Sequence, residues 1–165
     1  MQRARGPQSP LGALARGLAA GAAGTAALTA YQLLVARLRG EEQSEPKRWK
    51  DAPAPAQVGR RILKALFDEQ VTLKQAPKLA QIMHWAYGTT WGALYGLVGG
   101  TVRTPPVPAG AAFGTTVWAA SYAELVPLGI YEPPWKYPVQ ELALDLSYHL
   151  VYGTATAVAF DRLSP

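Results

Sequence analysis

The sequence of 165 residues contains no cysteine, and charged side chains make up only 16% of it. Without cysteine the chain has no disulfide, no thiolate metal ligand and no thiol nucleophile, and its redox compartment stays open. The G-x-S-x-G, H-E-x-x-H and G-x-x-x-x-G-K-S/T motifs of hydrolases, metalloproteases and phosphate-binding loops are also missing. We therefore predict a protein that is not an enzyme.

The charge that is present has a net value of +5. Most of the sixteen basic residues lie in a central linker, and Arg16 lies at the mouth of the first apolar stretch. Acidic side chains interrupt the basic ones along this linker, whereas a phosphate-binding face is less interrupted. We expect no nucleic-acid binding.

Four apolar segments, at about 11–36, 79–102, 109–128 and 141–160, dominate the rest of the chain. About 20 apolar residues are enough to cross a hydrocarbon core of about 30 Å as a helix. The sequence therefore predicts an all-α, four-span transmembrane bundle, formed as a single membrane domain over residues 1–165. We expect a multi-pass protein of the cell (inner) membrane whose partner is the lipid bilayer. A cleaved signal peptide is the alternative for the first segment, although Leu28 fits poorly before a cut after Ala30.

The polar linker at 37–78 contains one amphipathic stretch, at 57–70. Its apolar side chains share one side, and the basic ones lie elsewhere: Val58, Ile62, Leu66 and Phe67 against Arg60, Arg61 and Lys64. This pattern is typical of a helix in the membrane interface. A solvated helix that caps the bundle is the alternative.

Glycines recur every four residues and form small-residue faces. The predicted packing positions are Gly17, Gly21, Gly88, Gly92, Gly96, Gly100, Gly110, Gly114 and Gly153. A glycine costs about 1 kcal/mol relative to alanine inside a soluble helix, whereas close backbone packing in lipid offsets that cost. The spacing therefore favours a bilayer location. It also suggests that copies of the chain, or a membrane-protein partner, associate through these faces.

One phrase occurs twice, since H-x-x-Y-G-T begins at His84 and again 65 residues later at His149. Gly24-Thr25 and Gly114-Thr115 form a second, shorter echo, 90 residues apart. Together these echoes suggest two repeated helical hairpins related by an axis along the membrane normal. A chance echo is the alternative.

Ionisable and phenolic side chains in or near the spans form the candidate polar site. Its members are His84, Tyr87, Glu124, Asp145, His149 and Tyr152. A charge at mid-bilayer costs at least about 2.5 kcal/mol, so such residues usually face a bundle interior or water. Asp145 and His149 share a helix face, where the carboxylate could fix the imidazole tautomer. The alternatives are a proton-handling or transport site and a set of hydrogen bonds that fixes packing.

Two histidines in equivalent repeat positions raise a further alternative. Facing imidazoles in a four-helix bundle are a known way to ligate haem b. The two histidines with Glu124 and Asp145 could instead hold a metal ion. We make no firm assignment of a cofactor or metal.

The chain resembles the YagU-like family of small bacterial inner-membrane proteins over about residues 82–163. The resemblance rests on Pro127-Leu128-Gly129, Pro133-Pro134-Trp135, Glu141 and His149-Leu150-Val151, with His84 in the second span. The linker departs from the family pattern, and the basic tail is reduced to Arg162. The resemblance implies a multi-pass inner-membrane protein and transfers no activity.

The first function hypothesis is a structural or accessory membrane bundle that associates through its glycine faces. The second is a small transporter or proton-handling protein, and the third is a bis-His haem or metal protein. Orientation stays open. The linker side carries eleven basic residues against five on the other side, which puts the linker in the cytoplasm. The first ten residues contain Arg3 and Arg5 and no acidic residue. This charge pattern and the family resemblance favour cytoplasmic termini.

Overall fold

The structure, a computed structural model, describes residues 9–41, 45–99 and 105–164, and these residues contain helices and no strand. The all-α prediction is confirmed. The α-helices are α1 (Pro10–Arg39), α2 (Ala54–Phe67), α3 (Ala76–Gly99), α4 (Pro106–Leu125) and α5 (Val139–Leu163). The end of the predicted second span, with Gly100, lies outside the described residues.

Local sequence explains where most of the helices begin and end. The Ser9 hydroxyl accepts a hydrogen bond from the Gly12 amide at 3.1 Å, and Gly40, with a φ of 64°, ends α1 in the left-handed region. The linker helix begins at Ala54, earlier than the predicted residue 57, because Pro55 is well suited to a first turn. It ends at Phe67 because Asp68 adopts a φ of 50°. Likewise α4 ends at Leu125 and not at residue 128.

Four long helices form a bundle in which neighbours run antiparallel. Helix α1 lies between α3 and α5, α4 packs on α5, and α2 packs on the outer side of α3. The linker and the turn between α4 and α5 therefore share one end of the bundle, which we call the linker end. The start of α1 and the end of α5 lie at the opposite end, which we call the terminal end.

Two helix pairs approach so closely that their backbones touch. A Cβ at Gly92 would meet the backbone of Gly17 and Gly21, and a Cβ at Gly153 would meet that of Gly110 and Gly114. We call each set of three glycines a glycine lock. Gly17, Gly21 and Gly92 form the lock between α1 and α3, and Gly110, Gly114 and Gly153 form the lock between α4 and α5. All the predicted packing glycines within the described residues are buried. The close contacts of the two locks are made within one chain, and association of copies through glycine faces stays a prediction.

The two locks are geometrically equivalent, but the repeated phrase is not aligned with them. Gly92 and Gly153 take the same place in their locks, as do Gly21 and Gly114. The H-x-x-Y-G-T alignment instead pairs Gly153 with Gly88, which lies one helical turn before Gly92. The repeat is therefore wrong as a guide to equivalent positions, although two similarly packed pairs are present.

Small residues fill the inside of the bundle, and large apolar side chains lie on its outside. The largest fully buried side chains are Phe160, Thr25 and Thr156. Five leucines of α1 are exposed, at positions 11, 18, 33, 34 and 38, as are Ile82, Leu94, Leu97 and Val98 of α3. This arrangement is the reverse of a soluble bundle, where leucines point inward.

Within the part of the chain that the structure describes, one helix is long and apolar enough to cross a membrane. It is α1, near the N-terminus, and 28% of its apolar window is buried. The other three predicted spans have a lower mean hydropathy than α1, because Gly, Trp, Tyr and Thr take the place of aliphatic residues in them. The four-span arrangement stays a prediction.

Candidate functional site: a polar cavity at the linker end

A cavity of about 240 Å³ lies between the four long helices in the half of the bundle nearer the linker. Each long helix contributes to its wall, and the first turns of α2 border it through Ala54, Pro55 and Val58. All six side chains of the predicted polar site line this cavity. The structure therefore brings together residues that are up to 68 positions apart in the sequence.

The two histidines are each held by one hydrogen bond, which shows the ring nitrogen that carries a proton. Thr29 Oγ1 donates to the Thr25 carbonyl at 2.8 Å, so it accepts from His84 Nε2 at 3.3 Å. His149 Nδ1 lies 2.9 Å from the Asp145 carbonyl oxygen, which only accepts. The proton therefore sits on Nε2 of His84 and on Nδ1 of His149. Nδ1 of His84 and Nε2 of His149 keep a lone pair for a further proton or ligand.

Asp145 is held mainly by α4 and only weakly by the histidine on its own helix. Its Oδ2 accepts hydrogen bonds from Trp118 Nε1 at 3.0 Å and from Tyr122 Oη at 3.1 Å. Its Oδ1 lies 3.8 Å from His149 Nδ1, beyond hydrogen-bond distance. The prediction that this carboxylate fixes the tautomer is wrong, because the Asp145 backbone carbonyl does so. The side chain instead joins α5 to α4.

Glu124 and the two tyrosines have different roles. Glu124 is exposed near the end of α4, and its carboxylate accepts a hydrogen bond from Tyr87 Oη at 3.1 Å. Tyr152 is buried and donates to the Gly88 carbonyl at 2.6 Å, so it joins α5 to α3 and does not bond a histidine. Glu124 and Tyr87 thus form the side of the cavity that reaches the surface.

Among the described residues, packed side chains and backbones fill the terminal half of the bundle. Both glycine locks lie there or at its border, and Tyr95, Phe113 and Phe160 stack across it with ring centroids 4.8 to 5.7 Å apart. Phe160 is only 2% exposed. The cavity therefore ends in packed glycines and aromatic rings and faces the linker end.

Sequence reasoning missed several residues of the site. Trp118 and Tyr122 lie four residues apart on α4, which places them on one face of the helix. Both donate a hydrogen bond to Asp145. Tyr131 comes from the turn after α4 and lines the cavity, where burial raises its pKa to about 12 and keeps its hydroxyl protonated. The i, i+4 spacing could have shown the first two. No local signal marks Tyr131.

Neither predicted metal chemistry fits this site well. Within the described residues, no group of three or more His, Cys, Asp or Glu side chains could hold a metal ion. The cavity is also smaller than the range of about 300–1,000 Å³ typical of pockets for drug-sized ligands, and haem is larger than these ligands. The size of this cavity therefore does not support the bis-His haem hypothesis.

Comparison of the chain with protein-family models, with curated proteins and with solved structures finds no match. The resemblance to YagU-like proteins therefore stays a prediction, and the function must be argued from the site.

Proposed function

We propose that this chain is an integral protein of the inner membrane in which α1, α3, α4 and α5 all span the bilayer. The exposed leucines of α1 and the exposed aliphatic residues of α3 support this proposal, since they suit lipid and not water. No Asp, Glu, Lys or Arg occurs at 17–36, 79–99, 106–123 or 146–160. A cleaved signal peptide fits less well, because removing α1 would expose the glycines of α3 that pack on it.

We further propose that the cavity handles protons for a small transporter. The observation that carries this function is the convergence of two histidines and two carboxylates on one cavity. Intramembrane His, Asp and Glu side chains are costly to bury and commonly mark proton relays. At about 30 Å³ per water molecule, the cavity holds on the order of eight waters. These waters can connect Glu124 at the surface with the basic nitrogens of His84 and His149.

Proton flux into proteoliposomes tests this function. A pH-sensitive dye trapped inside should report flux with the parent protein under an imposed potential. We expect His149→Gln to reduce the flux at least tenfold, because glutamine cannot carry a titrating proton. Gln140→Ala, at an exposed position in the first turn of α5, is the control. Equal flux from the parent protein, the histidine variant and empty liposomes would exclude the proposal.

A structural or accessory membrane bundle is the second candidate, and the bonds of Asp145 favour it. A carboxylate that accepts from both Trp118 and Tyr122 acts as a cross-link between helices. If the polar residues of the cavity serve only to pack the helices, His149→Gln should lower the stability of the bundle and cause no separate defect in proton flux. Flux lost at unchanged stability would favour the proton-handling function.

A further inference from the structure

We propose that the cavity of this proton-handling protein also binds a small organic cation, an ammonium group with methyl or short alkyl substituents. This inference rests on the proposed function and names its substrate class. Three properties of the cavity carry it: the sign of its charge, its aromatic wall and its size.

The charged groups of the cavity select for a cation. Among its described lining residues are two carboxylates, Glu124 and Asp145, and no Lys or Arg. His84 and His149 carry no obligatory charge, and each already uses one ring nitrogen in a hydrogen bond to a neutral oxygen of the protein. A bound anion would therefore meet uncompensated negative charge, whereas a cation gains two counter-charges.

Aromatic rings form much of the remaining wall, through Tyr87, Trp91, Tyr131 and Tyr152. Tyr87 and Trp91 pack edge to face, at 70° to each other with centroids 6.1 Å apart. Quaternary ammonium groups are recognised by aromatic cages, because the ring faces attract positive charge without hydrogen bonding. Four aromatic side chains together with two carboxylates therefore suit an organic ammonium ion.

The volume limits the size of the cation. A cavity of about 240 Å³ lies below the range of drug-sized pockets. It suits an ammonium ion with a few carbon atoms. The exposed side chains of Glu124 and Tyr87 give the cation an entry from the linker end.

Isothermal titration calorimetry of the detergent-purified full chain with tetramethylammonium chloride tests this inference. We expect saturable binding of tetramethylammonium and none of tert-butanol, a neutral molecule of similar shape. Trp91→Leu and Glu124→Gln should each weaken the affinity about tenfold. The matched controls are Trp135→Leu and Glu132→Gln, which change the same residue types outside the cavity lining and should bind like the parent chain.

Three outcomes would overturn the inference: no saturable heat from tetramethylammonium, equal binding of tert-butanol, or equal affinities of the cavity variants and their controls. Glu124→Gln keeps the size of the side chain, so it stays informative if Trp91→Leu fails to fold. The same preparation is also assayed for proton flux. Flux without cation binding would reject the substrate class alone, whereas loss of both would reject the proposed function as well.

Discussion

The terminal half and the linker half of the bundle are built from the same four helices but pack in opposite ways. In the terminal half, glycines let α1 approach α3 and α4 approach α5 until their backbones touch. In the linker half, Trp91, Tyr87 and His84 of α3 face α4 and α5 across a cavity. The difference shows that close backbone contact at glycines, together with stacked aromatic rings, fills one half of the bundle, whereas polar side chains surround a cavity in the other.

The largest effect should come from filling a glycine lock. Gly153→Leu places a side chain where backbone atoms of Gly110 and Gly114 already lie. We expect a loss of about 3 kcal/mol or failure to fold, the upper range for overpacking. Unfolding in mixed detergent micelles measures the loss. Ala119→Leu, on the exposed side of α4, is the control, and equal midpoints for the two variants would show that the lock does not exist.

A smaller loss should follow from removing the carboxylate that joins α4 to α5. Asp145→Leu leaves Trp118 Nε1 and Tyr122 Oη without the one acceptor oxygen that they share, which should cost about 2 kcal/mol in total. Asp145→Asn retains an acceptor oxygen and should lose less. The same unfolding titration separates the two variants. If Asn and Leu destabilise equally, these hydrogen bonds do not stabilise the bundle.

The smallest effect should come from the contact that holds α2 beside the cavity. Arg61 donates to the Leu128 carbonyl at 2.6 Å, whereas Arg60 stacks on Trp49 at 4.6 Å. Arg61→Gln should cost about 1 kcal/mol and speed amide hydrogen exchange in residues 54–67. Arg60→Gln is the matched control. Equal exchange rates in this helix for both variants would mean that Arg61 does not position α2.

Sequence patterns predicted the parts of this fold that depend on one helix at a time. Charge-free runs bounded by prolines located the four long helices to within a few residues. The spacing of Gly17 and Gly21 located a packing face, because residues four apart share a helix face. The six polar residues of the candidate site were found because ionisable groups in an apolar span are conspicuous.

The features that escaped prediction depend on contacts between helices. The sequence could not show that Asp145 is held by α4, since its neighbour four residues on is His149 and its true donors lie 23 and 27 residues away. The repeated phrase suggested a register that the glycine locks contradict by one turn. A short motif records local similarity, whereas packing depends on which small residue meets which backbone.

Cysteine accessibility tests the contrast between the two halves most directly, and the chain supplies a cysteine-free background. Ser121 borders the cavity and is 7% exposed, whereas Thr156 lies in the terminal half and is 0% exposed. Each is changed singly to cysteine and treated in intact membranes with a positively charged methanethiosulfonate. We expect Ser121→Cys to react and Thr156→Cys to stay unmodified. Equal reactivity, or labelling of Thr156→Cys alone, would contradict a cavity confined to the linker half.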